Sequence, residues 1–179
     1  MNTLLSRANT IFAFTLSVLA ALTFLCFLTT VNLDTRRSVS IKTSKHTVRE
    51  TYTQYGEYAD LGGFYFDLTA NLEPLFNWNT KQLFIYLTAE YETEKNKLNQ
   101  VVIWDKIIKR TSNNAKLNFD RIQPKYPFFD DGHGLRSNQN VTLTLSWNII
   151  PNAGLLPRIA GDGNNMLAFP SEYSATHRM

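Results

Sequence analysis

The sequence predicts a mostly β protein, with one N-terminal transmembrane helix followed by an antiparallel β-sandwich-like domain. Three observations predict it. From Ile11 to Val31 there are 21 consecutive residues without a charge. Two later segments, Phe64 to Leu72 and Val141 to Ile149, alternate apolar and polar residues with a period of two. Between such segments stand clusters of Pro, Gly and Asn, the residues that turn a chain between strands.

The apolar run comes first. As a helix rising about 1.5 Å per residue it spans roughly 30 Å, the hydrocarbon thickness of a bilayer. Its Thr and Ser hydroxyls can bond back to the helix's own carbonyls, so they do not forbid insertion. Ser17, Ala20 and Ala21 are small enough to admit a partner helix. A cleaved signal peptide needs an apolar core of about 7 to 15 residues and a small-x-small exit. Here the run ends in bulky Phe24, Leu25, Phe27 and Leu28, so an uncleaved anchor is expected. Residues 1–11 are then a short tail and 12–32 the span.

Residues 33–60 mix charged and small polar side chains with Tyr52, Tyr55 and Tyr58 and show no sustained period. They read as a tether that can add an edge strand. The β domain is expected over 61–159. It opens after Gly62-Gly63 with Phe64, Phe66, Leu68, Ala70 and Leu72 on one face of a strand. Pro74 and Asn77-Trp78-Asn79 punctuate the chain before Gln82 to Glu90, whose faces are both apolar near its start, as in a central strand. Val101 to Trp104 with Ile107-Ile108 follows, then a turn at Thr111 to Asn114 and shorter pieces at Lys116 to Phe119 and Tyr126 to Phe129. Pro127 marks an edge or a bend, because it removes a ladder donor. The most regular strand, Val141 to Ile149, stops at Pro151-Asn152-Ala153-Gly154. Residues 160–179 read as an irregular tail. About seven short strands separated by turns suit two antiparallel sheets packed face to face.

Charge narrows the partners. All 15 acidic residues and every basic residue but Arg7 lie from Asp34 onward, so the soluble part is nearly balanced. Neither a clustered basic face nor a groove-reading motif appears, which argues against nucleic acid as a partner. The one concentrated basic run, Arg36, Arg37, Lys42, Lys45 and Arg49, follows the span and suits either lipid headgroups or a solvated connector. The single cysteine, Cys26, lies inside the apolar run and cannot staple the domain.

Catalytic chemistry has little to stand on, and no catalytic, metal or cofactor site is expected. The best candidate is Asp130-Asp131-Gly132-His133-Gly134, where carboxylates and an imidazole lie close together. Consecutive residues seldom converge on one ion, and Gly and Asp between strands read more simply as a turn. The three histidines, His46, His133 and His177, fall in the tether, a turn and the tail, so no Ser-His-carboxylate set is suggested. No phosphate-cradling Gly loop or His-Glu-x-x-His helix is present. Trp104 and Trp147 sit in strand patterns and read as core; Trp78 lies in a loop and stays open.

Orientation is contested. The excess of Lys and Arg after the span points the domain to the cytosol. Asn140-Val141-Thr142, the only Asn-x-Ser/Thr sequon, points to the secretory lumen, where Asn140 is the candidate N-glycosylation site.

Several blocks in order carry a resemblance. They are Met1 to Asn9 leading into the span, Asn77-Trp78-Asn79-Thr80-Lys81-Gln82-Leu83-Phe84, Leu98 to Ile107, Phe128 to Gly132, and Asn140 to Asn148 with Pro151-Asn152-Ala153-Gly154. Together they resemble the subunit 3 family of the signal peptidase complex over most of the chain; Ser38 to Asp60 and the part after Pro157 carry little signature. The resemblance implies a single-pass type II signal-anchor protein of the endoplasmic reticulum membrane with a lumenal domain and a glycan at Asn140. It implies a non-catalytic, essential-type subunit without cofactors that supports and positions the catalytic serine protease subunit during signal-peptide removal. Implied partners are that catalytic subunit, the other subunits of the complex and the lipid bilayer, with the translocon and nascent secretory chains beyond them. The competing class is a lumenal membrane-anchored binding module, a cargo receptor or chaperone. An enzyme reading, resting on Asp131 and His133, comes third.

Overall fold

The computed structural model describes residues 3–52, 56–112 and 114–174. The apolar run forms helix α1, Leu4–Val31. Thr3 caps its start, with Oγ1 accepting from Ser6 N at 3.3 Å. The polar side chains within it are satisfied internally: Thr15, Ser17 and Thr23 donate to the carbonyls of Ile11, Ala13 and Leu19 at 2.8 to 2.9 Å. None of its residues is buried, and large side chains such as Ile11, Phe14 and Phe24 stand more than half exposed. A helix apolar on all sides and uncovered by protein needs another apolar medium, and α1 is long and apolar enough to cross a bilayer.

Eight strands follow: β1 Val39–Tyr52, β2 Tyr58–Asn71, β3 Thr80–Tyr91, β4 Asn99–Lys109, β5 Lys116–Ile122, β6 Phe128–Asp130, β7 Val141–Pro151 and β8 Arg158–Leu167. One sheet has the order β1-β2-β5, with β6 beside β2 next to β5; the other has the order β4-β3-β7-β8, and every paired neighbour is antiparallel. The expected alternation holds: Phe64, Phe66, Leu68 and Ala70 of β2 and Val141, Leu143, Leu145, Trp147 and Ile149 of β7 turn inward. Strand β3, apolar on both faces, is indeed central, between β4 and β7. Trp147 is fully buried and Trp104 nearly so, edge-on to Phe66 at 6.0 Å and to Phe119 at 5.8 Å. Pro127 precedes β6, a three-residue strand at the edge of its sheet.

Two boundaries differ from the expectation. The segment 33–60, expected as a tether that can add an edge strand, contains the whole of β1, a 14-residue edge strand paired with β2 from Val39↔Ala70 to Tyr52↔Tyr58. A bulge hides it from a period-two reading. The register shifts between Ser44 and Thr47, with Lys45 at φ 55°, so Val39 and Ile41 point inward before the bulge and Val48 after it. Tyr55 lies outside the described residues.

The segment 160–179, expected as a tail, instead continues β8 as far as Leu167 and then buries Phe169 in the core. Glycines hide β8, because the positions where it passes β1 are small by necessity. A methyl group on Gly161 would stand 2.5 Å from Val39 and 2.9 Å from the Trp147 ring, and one on Gly163, at φ 132°, would fall on the Val39 carbonyl. Here β1 and β8 close the sandwich, tied by Asp162 N donating to Arg37 O at 2.9 Å and by Thr43 Oγ1 with Asn165 Oδ1 at 3.0 Å.

His46 sits at the bulge. Its Nε2 is buried and without a hydrogen-bond partner among the described residues, and burial pulls its pKa below the ordinary 6.5 against a weaker opposing bond to the Ala168 backbone. The folded state therefore holds the neutral ring, while the unfolded chain takes up a proton near 6.5. This contribution to stability is full above 6.5 and is lost as pH falls through the lower, folded value. Urea unfolding between about pH 5 and 8 should show a slope that His46→Asn flattens, leaving only the slope of the remaining groups.

Candidate functional site: the helix-sandwich junction

The strands sort the loops into two ends. The segments 72–79, 110–112 and 151–157 lie beside the exit of α1, whereas the paired ends of β1 and β2 at Tyr52 and Tyr58, the turn after β3 and the loop 131–140 lie at the far end.

The far end holds the Asp-Asp-Gly-His-Gly run, and the structure does not gather it around one point. Asp130 is buried and accepts from Tyr91 Oη at 2.9 Å, Gly132 N at 3.1 Å and Gly134 N at 2.7 Å. Asp131 is exposed. His133, at φ 56°, turns its Nδ1 to Asp60 at 3.2 Å. Asp60 is fully buried and is the cross-strand partner of Asp130. Two carboxylates so placed repel each other, and donors offset the repulsion. Asp60 accepts from Leu135 N at 3.2 Å, Arg136 N at 3.0 Å and Tyr173 Oη at 2.9 Å. Burial and the neighbouring Asp130 push the Tyr91 hydroxyl well above its ordinary value of 10, so it stays a donor. Both carboxylates act as knots that fold loop 131–137, with their acceptor positions taken by the chain itself. Among the described residues no three His, Cys, Asp or Glu side chains gather where they could hold a metal. His177 lies outside the described residues.

At the near end, residues read only as punctuation in the sequence do the joining. Asn79 is 3 % exposed and uses its whole amide. Nδ2 donates to Ala153 O at 2.8 Å and to Thr30 Oγ1 of α1 at 3.2 Å, while Oδ1 accepts from Ala153 N at 3.0 Å. Its backbone carbonyl accepts from Asn152 N at 2.7 Å. Asn77 Oδ1 in turn accepts from Asn79 N and Thr80 N at 2.8 and 3.0 Å, fixing the turn that presents Asn79. Gly154, at φ 113°, lets the Phe27 ring lie against the loop where a side chain would collide with it. A cavity of about 200 Å³ remains between the helix end and the sandwich, lined by Phe27, Val31, Ile149, Pro151, Leu155 and Pro157 among others. The signal in the sequence was the pair Asn77-Trp78-Asn79 and Pro151-Asn152-Ala153-Gly154; nothing in either says that they meet.

The basic run after the span disperses. Strand β1 carries Arg49 about 30 Å along from Val39, at roughly 3.3 Å per residue, so Arg36 and Arg37 alone of that run stay beside the helix end. Asp34 accepts from Arg36 N at 3.0 Å and from the Arg37 guanidinium at 3.1 Å, which together hold its carboxyl below the usual range. Arg36 approaches Asp162 at 4.0 Å. Asn140, the sequon residue, is exposed at the far end, just before β7.

An apolar helix clasped at its end by an antiparallel sandwich defines a membrane-anchored β-domain protein with a single candidate span among the described residues. The sequence profile of a family described as "Signal peptidase subunit" matches residues 1–172, and the chain belongs to that family. It is 55% identical over 178 residues to signal peptidase complex subunit 3 of Gallus gallus, covering 98% of each chain. It is 54% identical over 178 residues to the proteins of that name from Homo sapiens and Drosophila melanogaster, again over 98% of this chain and 98% and 99% of theirs.

Proposed function

We propose that this chain is a non-catalytic, essential subunit of the signal peptidase complex in the endoplasmic reticulum membrane. It supports and positions the catalytic serine protease subunit while signal peptides are removed from nascent proteins entering the lumen. The observation that carries this reading is the likeness, over nearly the whole chain, to proteins named signal peptidase complex subunit 3. In this arrangement α1 crosses the bilayer once, the short N-terminal tail is cytosolic and the sandwich is lumenal.

The physical case for support is the junction. A domain on a loose tether positions nothing, whereas here Asn79, Gly154 and Phe27 join the sandwich directly to the helix. Displacing reacting groups by about 1 Å can cost on the order of 100-fold in rate, so a partner that fixes the protease relative to the membrane governs its activity without contributing a reacting group.

Depleting the subunit should make uncleaved secretory precursors accumulate, and the wild-type chain, or one carrying Asp131→Ala and His133→Ala, should restore cleavage. Cleavage that persists unchanged after depletion sinks the proposal. Purification of the chain free of any protease subunit would favour a lumenal binding module instead.

The lumenal orientation makes a separate prediction. The native protein should lose mass on glycosidase treatment, Asn140→Gln should migrate like the treated protein, and both should be protected in intact vesicles. Digestion of the sandwich by protease added from the cytosolic side would reverse the orientation.

A further inference from the structure

We propose that the loops 77–79 and 152–157 dip into the lumenal headgroup layer of the bilayer, with Trp78, Leu155 and Leu156 as apolar anchors, so that the sandwich rests on the membrane surface. The proposal assumes that α1 spans the bilayer and adds a second lipid contact to the span.

The level of the loops follows from the helix. Arg7 stands at one end of the uncharged run and Asp34 follows the other, so the hydrocarbon core is matched by Ile11 to Val31. Phe27 lies one turn before Val31, about 6 Å deeper along the axis at 1.5 Å per residue. Helix side chains also lean toward the N-terminus, which carries the Phe27 ring deeper still. Yet Gly154 packs against that ring, and Leu155 lines the cavity beside it. The loop therefore reaches at least to the level of the helix's last turn, in the boundary between headgroups and acyl chains.

What the loops present fits that depth. Leu155 and Leu156 are 73% and 61% exposed, two consecutive leucines at the tip of a turn with no protein over them. Trp78, beside the Asn79 that bonds α1, is 52% exposed, whereas Trp104 and Trp147 are buried. Tryptophan and leucine beside a cation suit the interface, where rings sit among headgroups and basic side chains reach phosphates. Arg110 supplies that cation: it is exposed, makes no ion pair among the described residues, and its Nη1 holds the loop itself through Asn77 O at 2.8 Å and Trp78 O at 2.9 Å. Arg158 turns along the sheet instead and lies over the Tyr86 ring at 5.9 Å. Asn79, Asn152 and Ala153 satisfy one another's polar groups, and the headgroup layer, unlike the hydrocarbon, offers water to the backbone at the loop tip.

The test uses the full chain reconstituted into vesicles of phosphatidylcholine carrying some phosphatidylinositol, with and without bromine at mid-acyl positions. Brominated lipid should quench part of the tryptophan emission of the wild type, and that quenchable part should be lost in Trp78→Phe. In a Cys26→Ser background, Leu155→Cys and Leu156→Cys should react severalfold more slowly with a membrane-impermeant maleimide than Gln139→Cys at the far end. Quenching that survives Trp78→Phe, or leucine-position thiols as reactive as the far-end thiol, places the loops in water and overturns the proposal. Shielding that appears only in the assembled complex makes the patch a protein interface and overturns it as well. Failure of α1 to span is read separately, as release of the chain from vesicles by alkaline carbonate.

Discussion

Gly163→Val should destabilise the sandwich by about 4 kcal/mol, because it combines an overpacked contact with a backbone conformation that a β-branched residue resists. Gly163 has φ 132°, and a Cβ there would land on the Val39 carbonyl oxygen. The obstacle is backbone in the neighbouring strand, so it cannot swing aside like the end of a long side chain. Relief requires β1 and β8 to separate, which opens the seam where Gly161 lies against Val39 and Trp147 and exposes the core. Thermal or urea unfolding of the full chain in detergent micelles checks this, with Gly132→Ala as the control. The nearest atom to a methyl group on Gly132 is 3.6 Å away, so the control should stay within about 0.5 kcal/mol of wild type. Equal stability of Gly163→Val and wild type would mean that the two sheets do not close at this seam.

Asp60→Ala should cost about 3 kcal/mol and loosen the far-end loop rather than the core. The carboxylate is fully buried and holds Leu135 N, Arg136 N and Tyr173 Oη, besides its contact with His133. Its removal leaves the Leu135 and Arg136 amides without their acceptor inside the protein, the expensive direction of a hydrogen-bond deletion. Part of that cost is returned, since Asp130 faces Asp60 across the ladder and loses a like-charged neighbour. Hydrogen exchange should quicken first at Leu135, Arg136 and Asn138, while amides in β3 and β7 keep their protection. Uniform quickening across the sandwich would show that Asp60 belongs to the global fold and does not merely hold a loop. Because the proposed function requires support and not chemistry, a chain carrying Asp60→Ala should restore signal-peptide cleavage wherever it still folds, whereas Gly163→Val should not.

Most strands were legible, and the two that were not lose their alternation for different reasons. In β3 and β7 each inward position carries an apolar side chain, so a period of two marks the strand directly. In β1 the bulge at Lys45 moves the inward set from odd to even positions, and the period breaks in the middle. In β8 the side chains are absent where Gly161 and Gly163 lie against Val39 of β1, so the alternation is interrupted in the middle of the strand. The acidic loop was legible as a turn, but the partner that organises it, Asp60, stands 73 residues before His133 in the chain.

The sequence by itself determined the apolar helix, the sandwich class and the inward residues of its regular strands, because these depend on local periodicity and on the transfer of apolar side chains out of water. Only the tertiary structure decided that β1 and β8 close the two sheets, that Asp60 and Asp130 tie one loop, and that Asn79 and Gly154 grip the end of the helix. Those are contacts between residues far apart in the chain, made by polar groups and glycines whose meaning depends on what the fold brings against them. A hydrophobic pattern records which side a residue faces; it holds no record of the neighbour it meets there.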